Sequence, residues 1–272
     1  MPAHELNEEL LTRAVRVRVV GAGGTGSAVM YALVKQHKAM LAWGHPAGLE
    51  VTLQDGDTIT TSNLVRTPFP EAAVGLRKAA VLVGRINAFA GLRWKAVTRP
   101  FGTRDTLRGD DVVIGCVDTR AARRTIEAAA RRAGSVAYLL DFGNSADSGQ
   151  FVLGQPANPV NAGAELRLPT AAELFPEITD RRLDRDDGPS CSAAEALDRQ
   201  HPFINETLAT LGLAMLSRLF RYGRITHHGG VVNLADGVCS EIPVDPAVWA
   251  EIRGAQGAEA GSAPGGGTRG TR

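Results

Sequence analysis

The chain has 272 residues, 44% of them hydrophobic, enough to bury a full core in one large domain with or without an appendage. Its 30 basic and 29 acidic residues leave a formal charge of +1, which argues against a sequence-independent nucleic-acid binder. Cys116, Cys191 and Cys239 form no C-x-x-C pair, excluding a disulfide scaffold and a four-cysteine zinc site, and no apolar run is long enough to span a membrane.

Strand-like and helix-like segments alternate along the chain, the signature of a doubly wound, mostly parallel α/β sheet of the Rossmann kind. The N-terminus lacks an apolar signal core, so a reducing, cytoplasmic setting is the expectation. Residues 15–20 are a β-branched strand ending at Gly21, and 27–37 read as the helix after it. Residues 50–54 form a second strand, 71–89 are mostly helical and 94–101 suit a third strand. Residues 111–117 (DVVIGCV) form a buried strand, 119–132 a helix and 136–142 another apolar strand. Arg120, Arg123, Arg124, Arg131 and Arg132 read as a solvated face of that helix. Near 150–153 the pattern turns to an antiparallel return, which begins a C-terminal extension.

Residues 155–190 are Pro-rich and charged without a period, and read as a long crossover loop rather than a core element. From Pro202 to Tyr222 a long apolar helix is expected, with Pro202 in its first turn and Ile204, Leu208, Leu211, Met215, Leu219 and Tyr222 as its core stripe. Two short strands follow, at 231–234 and 240–244. The domain is expected to end at 253, leaving 254–272 as a disordered Gly-rich tail.

Gly21, Gly23 and Gly26 make a G-x-G-x-x-G loop between the first strand and the first helix, with Gly24 inside it. Glycine allows close backbone approach to a phosphate, and the helix N-terminus offers unpaired N–H groups. Asp55, ending the second strand, can accept hydrogen bonds from a ribose, so to this point NAD and ATP are equally served. The residues after Asp55 separate them. An oxidoreductase has no reason to place Ser62, Asn63 and Leu64 with two cations beside that carboxylate, whereas an enzyme joining a polyanion to an anion does. Asn63 can donate to phosphate, and the cations Arg66 and Lys78 can offset phosphate charge.

Taken in order, GAGGTG at 21–26, DGD at 55–57, SNLVR at 62–66 and GLRK at 75–78 resemble the E1-like superfamily of ThiF, MoeB and ubiquitin-activating enzymes. The resemblance covers residues 15–235. It implies ATP and Mg2+ as cofactors, nucleotide contacts from Gly21, Gly23, Gly24, Gly26, Asp55, Asp57, Asn63, Arg66 and Lys78, and magnesium on Asp118. It also implies adenylation of the C-terminal carboxylate of a small ubiquitin-like protein, by attack on the α-phosphate with loss of pyrophosphate, and a homodimer in which the 202–222 helix contributes. Members often borrow an arginine from the neighbouring subunit through an N-terminal Arg-Gln segment; here only Arg13, Arg16 and Arg18 precede the glycine loop, and none of them is followed by Gln. Thr119 stands where the family usually has Asn, and the other reading of Asp118 is as the cap of the helix that follows.

Members that go beyond the adenylate hold a nucleophilic cysteine in the crossover region, and Cys191 matches in location. Ser192 and Glu195 fit a capping box, which would put Cys191 before a helix N-terminus, where a thiolate is favoured. Cys116 and Cys239 read as packing residues. The stretch SCSAAEALDRQHPFINETLA further resembles ThiF-family proteins of bacterial PRTRC systems, whose neighbours include ubiquitin-like and E2-like proteins; an E2-like acceptor would then receive the activated protein. His201 reads as a surface residue, and His227 and His228 lack partners at zinc spacing. The competing readings are a non-catalytic E1-like scaffold, an NAD(P)-dependent oxidoreductase, and an adenylating enzyme acting on a small molecule or a tRNA base.

Overall fold

The computed structural model describes residues 2–184 and 200–261, the last six as backbone. Eight strands form one sheet in the order β10-β9-β7-β6-β5-β2-β3-β4. Its parallel part is β2 (Val15–Val20), β3 (Leu49–Gln54), β4 (Lys95–Val97), β5 (Val112–Gly115) and β6 (Tyr138–Asn144). Three antiparallel strands extend it: β7 (Ser148–Gly154), β9 (His227–Asn233) and β10 (Val238–Pro243). A separate two-residue ribbon pairs β1 (His4–Glu5) with β8 (Arg224–Ile225). The chain is thus a Rossmann-like α/β fold with an antiparallel C-terminal extension.

Alternation along the strands sends side chains to two different layers. On one face Val17, Val51, Ile114, Leu140 and Phe151 pack under α1 (Gly24–Ala42), α2 (Lys78–Ala90) and α5 (Ile204–Tyr222). On the other, Val20, Val113 and Leu139 pack under α3 (Arg120–Arg132). In α5 the buried stripe of Ile204, Leu208, Met215 and Leu219 meets α1 and the sheet of its own chain. That leaves Phe203 and Tyr222, at the two ends of α5, as its large exposed apolar side chains, so Tyr222, expected in the core stripe, falls outside it where the helix ends. Pro202 stands outside the helix, whose N-cap is Phe203.

Three readings of the sequence change here. The part of the crossover seen in the structure, 155–184, holds α4 (Ala171–Leu174) and several 3-10 turns rather than a coreless loop. Its Leu168, Ala171, Leu174 and Ile178 form a third core cluster with Val152 and Trp249. Three of the five arginines of α3 are engaged rather than simply solvated: Arg120 donates to the carbonyls of Glu177 and Leu183, Arg123 pairs with Asp141, and Arg131 pairs with Glu127. Arg124 and Arg132 are exposed as expected. Finally, α6 (Pro246–Gly261) runs past Arg253 into the stretch expected to be disordered. The sequence AQGAEA there supplies helix-favouring Ala, Gln and Glu, which the count of glycines conceals.

Two histidines are buried at structural positions. Nε2 of His4 lies 2.8 Å from the hydroxyl of Tyr138, and Nδ1 of His228 lies 2.8 Å from the carbonyl oxygen of Leu153. Burial lowers both imidazole pKa values to about 4, so each stays neutral in the folded chain while the unfolded chain takes up protons below pH 6.5. Stability from this source is therefore full above pH 6.5 and is lost as pH falls toward 4, by up to about 3 kcal/mol per histidine. Buried Asp141, raised to about 6, works in the opposite sense, because the folded chain then binds the extra proton. Burial also raises Asp55, Asp110 and Glu127 and lowers His37, all by less, so between pH 7 and pH 5 the histidines set the net sign. The midpoint of urea unfolding is expected to drop between pH 7 and pH 5, with a shallower drop in His4→Gln.

Candidate nucleotide-binding site

The C-terminal ends of β2, β3 and β5 open into a cleft of about 670 Å3. Gly21, Gly23 and Gly24 line it at the end of β2, Asp55 and Asp57 at the end of β3, and Asp118 after β5. Asn63, Arg66 and Lys78 close it from the segment that follows β3. These nine side chains and backbone positions, separated by up to 97 places in sequence, meet because parallel strands deliver their loops to one sheet edge.

The glycine loop is shaped by sterics. Gly21 has φ +101°, and a Cβ there would collide with the carbonyl of Cys116. Gly26 does not line the cleft; it lies one turn into α1, where a Cβ would run into the carbonyl oxygen of Gly21. Gly23 has open space where a Cβ would be, so its backbone is accessible from the cleft at the N-terminus of α1.

Asp55 holds this loop. One carboxylate oxygen accepts from the Ala22 amide at 2.7 Å and the other from the Asp57 amide at 2.7 Å. Burial raises its pKa, and these two amide bonds act against that rise. Each oxygen keeps a second lone pair for a ligand hydroxyl. Asp57 pairs with Lys78 at 2.9 Å, which places the ammonium at the first turn of α2. Asn63 accepts from the Thr60 amide through Oδ1 at 3.0 Å, so its NH2 is the end left to donate. Arg66 donates to Oε1 of Gln200 at 3.0 Å.

Asp118 is exposed and does not cap α3. That role belongs to Thr119, whose hydroxyl accepts from the Ala122 amide at 3.2 Å, and to Asp184, which accepts from the amides of Arg120 and Ala121. A hard carboxylate at a strand end, not engaged as a cap, fits a magnesium ion that keeps waters and shares phosphate oxygens. Among the described residues no three His, Cys, Asp or Glu side chains cluster as a complete metal cage, so a fully protein-ligated ion does not fit. Cys116 also lines the cleft, with its thiol pushed up by burial and by Asp141, which leaves it a packing residue and a poor nucleophile. Cys191, Ser192 and Glu195 lie outside the described residues.

A polar network of Thr25, Asn144, Gln200 and Asn205 is among the lining that the motif reading did not single out. Buried Asn205, in the first turn of α5, accepts through Oδ1 from Thr25 at 2.7 Å and from Asn144 at 2.8 Å, and donates to Gln200 at 3.1 Å. This network ties α1, β6 and α5 together behind the glycine loop and carries on to Arg66 through Gln200. The available signal was an asparagine beside the apolar stripe of α5. Arg13 and Arg18 are engaged within the chain, with Asp111 and Asp110 respectively, by the opposite ends of β2 and β5 from the cleft.

Fold and site together define an α/β protein with a glycine-loop cleft at its parallel-strand edge. The chain belongs to the ThiF family, whose model matches residues 4–217. Over 130 residues it is 32% identical to the adenylyltransferase and sulfurtransferase UBA4 of Yarrowia lipolytica, a match covering 46% of this chain and 30% of that protein. The chain therefore spans under a third of that relative. The crystal structure of SeMet PaaA superposes with a TM-score of 0.55 at 16% identity, over 85% of this chain and 64% of that one, a likeness of fold alone. Among the described residues no helix is long and apolar enough to cross a membrane.

Proposed function

We propose that residues 1–253 act as one E1-like adenylation unit that activates the C-terminal carboxylate of a small ubiquitin-like protein with ATP and Mg2+. The observation carrying this reading is the meeting of Arg66, Lys78 and Asp118 with the open N-terminus of α1 in one cleft. Family membership and the UBA4 likeness support the adenylyl-transfer class.

In this reading the α1 amides and Asn63 bind phosphate oxygens, and the Asp55 carboxylate accepts from ribose hydroxyls. Bound magnesium, held by Asp118, would supply Lewis-acid charge stabilisation. An oxygen of the partner's terminal carboxylate forms a bond to the α-phosphorus as the bond to the bridging β-phosphate oxygen breaks. Pyrophosphate leaves with that electron pair, and Arg66 and Lys78 balance its charge. No proton need move, because nucleophile and leaving group are both already anions.

The same reading gives Cys191 the next step, in which its thiolate displaces AMP to form a thioester. The two residues flanking 185–199 are tied to elements of the cleft: Asp184 accepts from the Arg120 and Ala121 amides at the N-terminus of α3, and Gln200, which lines the cleft, contacts Arg66. Cys191→Ser is expected to keep ATP–pyrophosphate exchange within about twofold while abolishing the thiol-labile adduct on non-reducing gels. An adduct surviving in that variant would place the nucleophile elsewhere. Loss of exchange would make Cys191 part of the adenylation machinery instead.

A further inference from the structure

The sheet face beneath α3 changes character where that cover ends. Val20, Val113 and Leu139 are buried there, but along β2 and β3 the same face carries Arg16, Arg18, Glu50 and Thr52, with Arg16 and Glu50 exposed. Between this face and the turn at Arg108 lies a groove of about 520 Å3, separate from the nucleotide cleft and lined by residues from the N-terminal halves of β2 and β3. Arg16, Arg18, Arg93, Lys95 and Arg108 line it, against two carboxylates, Glu50 and Asp110. Asp110 already pairs with Arg18 at 3.2 Å. A chain of net charge +1 thus gathers a marked positive excess at one place.

The groove is also built rather than merely charged. Gly109, at φ +84°, lets the backbone turn under Arg16: a Cβ there would stand 3.1 Å from the guanidinium Nη1. Trp94, 6% exposed, also lines the groove, and its indole N–H has no acceptor among the described residues.

We propose that this groove docks an acidic segment of a partner protein, a short extended stretch carrying several Asp or Glu side chains. Charge complementarity selects an anion, and the cations are spread across β2 to β4, about 10 Å at sheet spacing, so several separate carboxylates meet them better than one small ion does. The whole-chain formal charge of +1 offers no general attraction to a phosphodiester backbone, and Glu50 leaves room for carboxylates spaced on either side of it rather than for a continuous run of anions. The proposal does not rest on the nucleotide reading, since neither Arg66, Lys78 nor Asp118 lines the groove.

The test is fluorescence anisotropy of a labelled hexaglutamate probe with the full chain. Binding is expected at low salt, weakened about tenfold or more by physiological salt. Charge reversal in Arg16→Glu/Lys95→Glu, and independently in Arg93→Glu, should weaken it about tenfold, with unfolding midpoints and ATP affinity unchanged. Lys35→Glu, on α1 and outside the groove, should leave probe binding intact. Undiminished binding in both groove variants, or equal loss in the Lys35 control, overturns the proposal. So does tighter binding of an equally charged single-stranded oligonucleotide that is lost in the same variants, which would reassign the groove to nucleic acid.

Discussion

Asp118→Asn is expected to lower magnesium-dependent ATP–pyrophosphate exchange on the order of 100-fold or more, with the unfolding midpoint unchanged. Asp118 is exposed, and Thr119 rather than Asp118 caps α3, so the substitution removes a charge without removing a structural bond. The informative control is nucleotide affinity measured in excess chelator. There the variant should match the native chain, because Asp118 would act only through the ion. Equal exchange rates in variant and native chain would sink the assignment. A fall in stability would show instead that the cap had been misread.

The second large effect is expected at Arg123. Its guanidinium pairs with Asp141 at 3.0 Å and donates to the carbonyls of Val117 and Phe142, joining the end of β5 to β6 directly before Asp118. Asp141 is buried, and burial pushes its carboxyl up to about 6 despite Arg123 pulling it down. Arg123→Leu leaves that carboxyl without its cation, and removing one member of a buried pair costs about 3–5 kcal/mol. The sign with pH follows. Without arginine the folded-state pKa rises further, so the loss is greatest above pH 6, where native Asp141 is ionised, and shrinks as pH falls below it. Chemical denaturation of the two proteins at pH 8 and pH 5 checks both the size and the narrowing gap. Arg123→Lys should recover part of the stability, since one ammonium cannot reproduce the planar fork that reaches Asp141, Val117 and Phe142 together.

The sequence carried the parallel half of the fold well, because apolar strands and period-3.6 helices alternate with glycine and acidic residues at the strand ends. β2, β3, β5 and β6, the return at β7 and the core stripe of α5, Tyr222 excepted, follow from periodicity. The loop positions of the cleft followed for the same reason: a strand end can be located without knowing its neighbours. What periodicity does not record is long-range pairing. Arg123 and Arg120 looked like a solvated face because their partners, Asp141, Leu183 and Glu177, lie 18 to 63 positions away. The crossover hid a core cluster because Leu168, Leu174 and Ile178 are spaced by short turns that show neither period. Asn205 was passed over because its partners come from α1 and β6, and a polar residue beside an apolar stripe has no motif of its own.

The chemistry of the groups that line the cleft has a consequence for how the protein should respond to its surroundings. No histidine is among the described lining residues, and part of the positive field comes from peptide N–H groups at the start of α1, which have no proton to give up at working pH. Attraction for an anion is thus shared between the backbone and the Arg66 and Lys78 cations rather than switched by a histidine. Nucleotide capture should be nearly indifferent to acidity across the neutral range, in contrast to the stability of the chain, which the buried histidines tie to pH. Ionic strength, which screens a permanent field as readily as a switchable one, becomes the variable that governs occupancy.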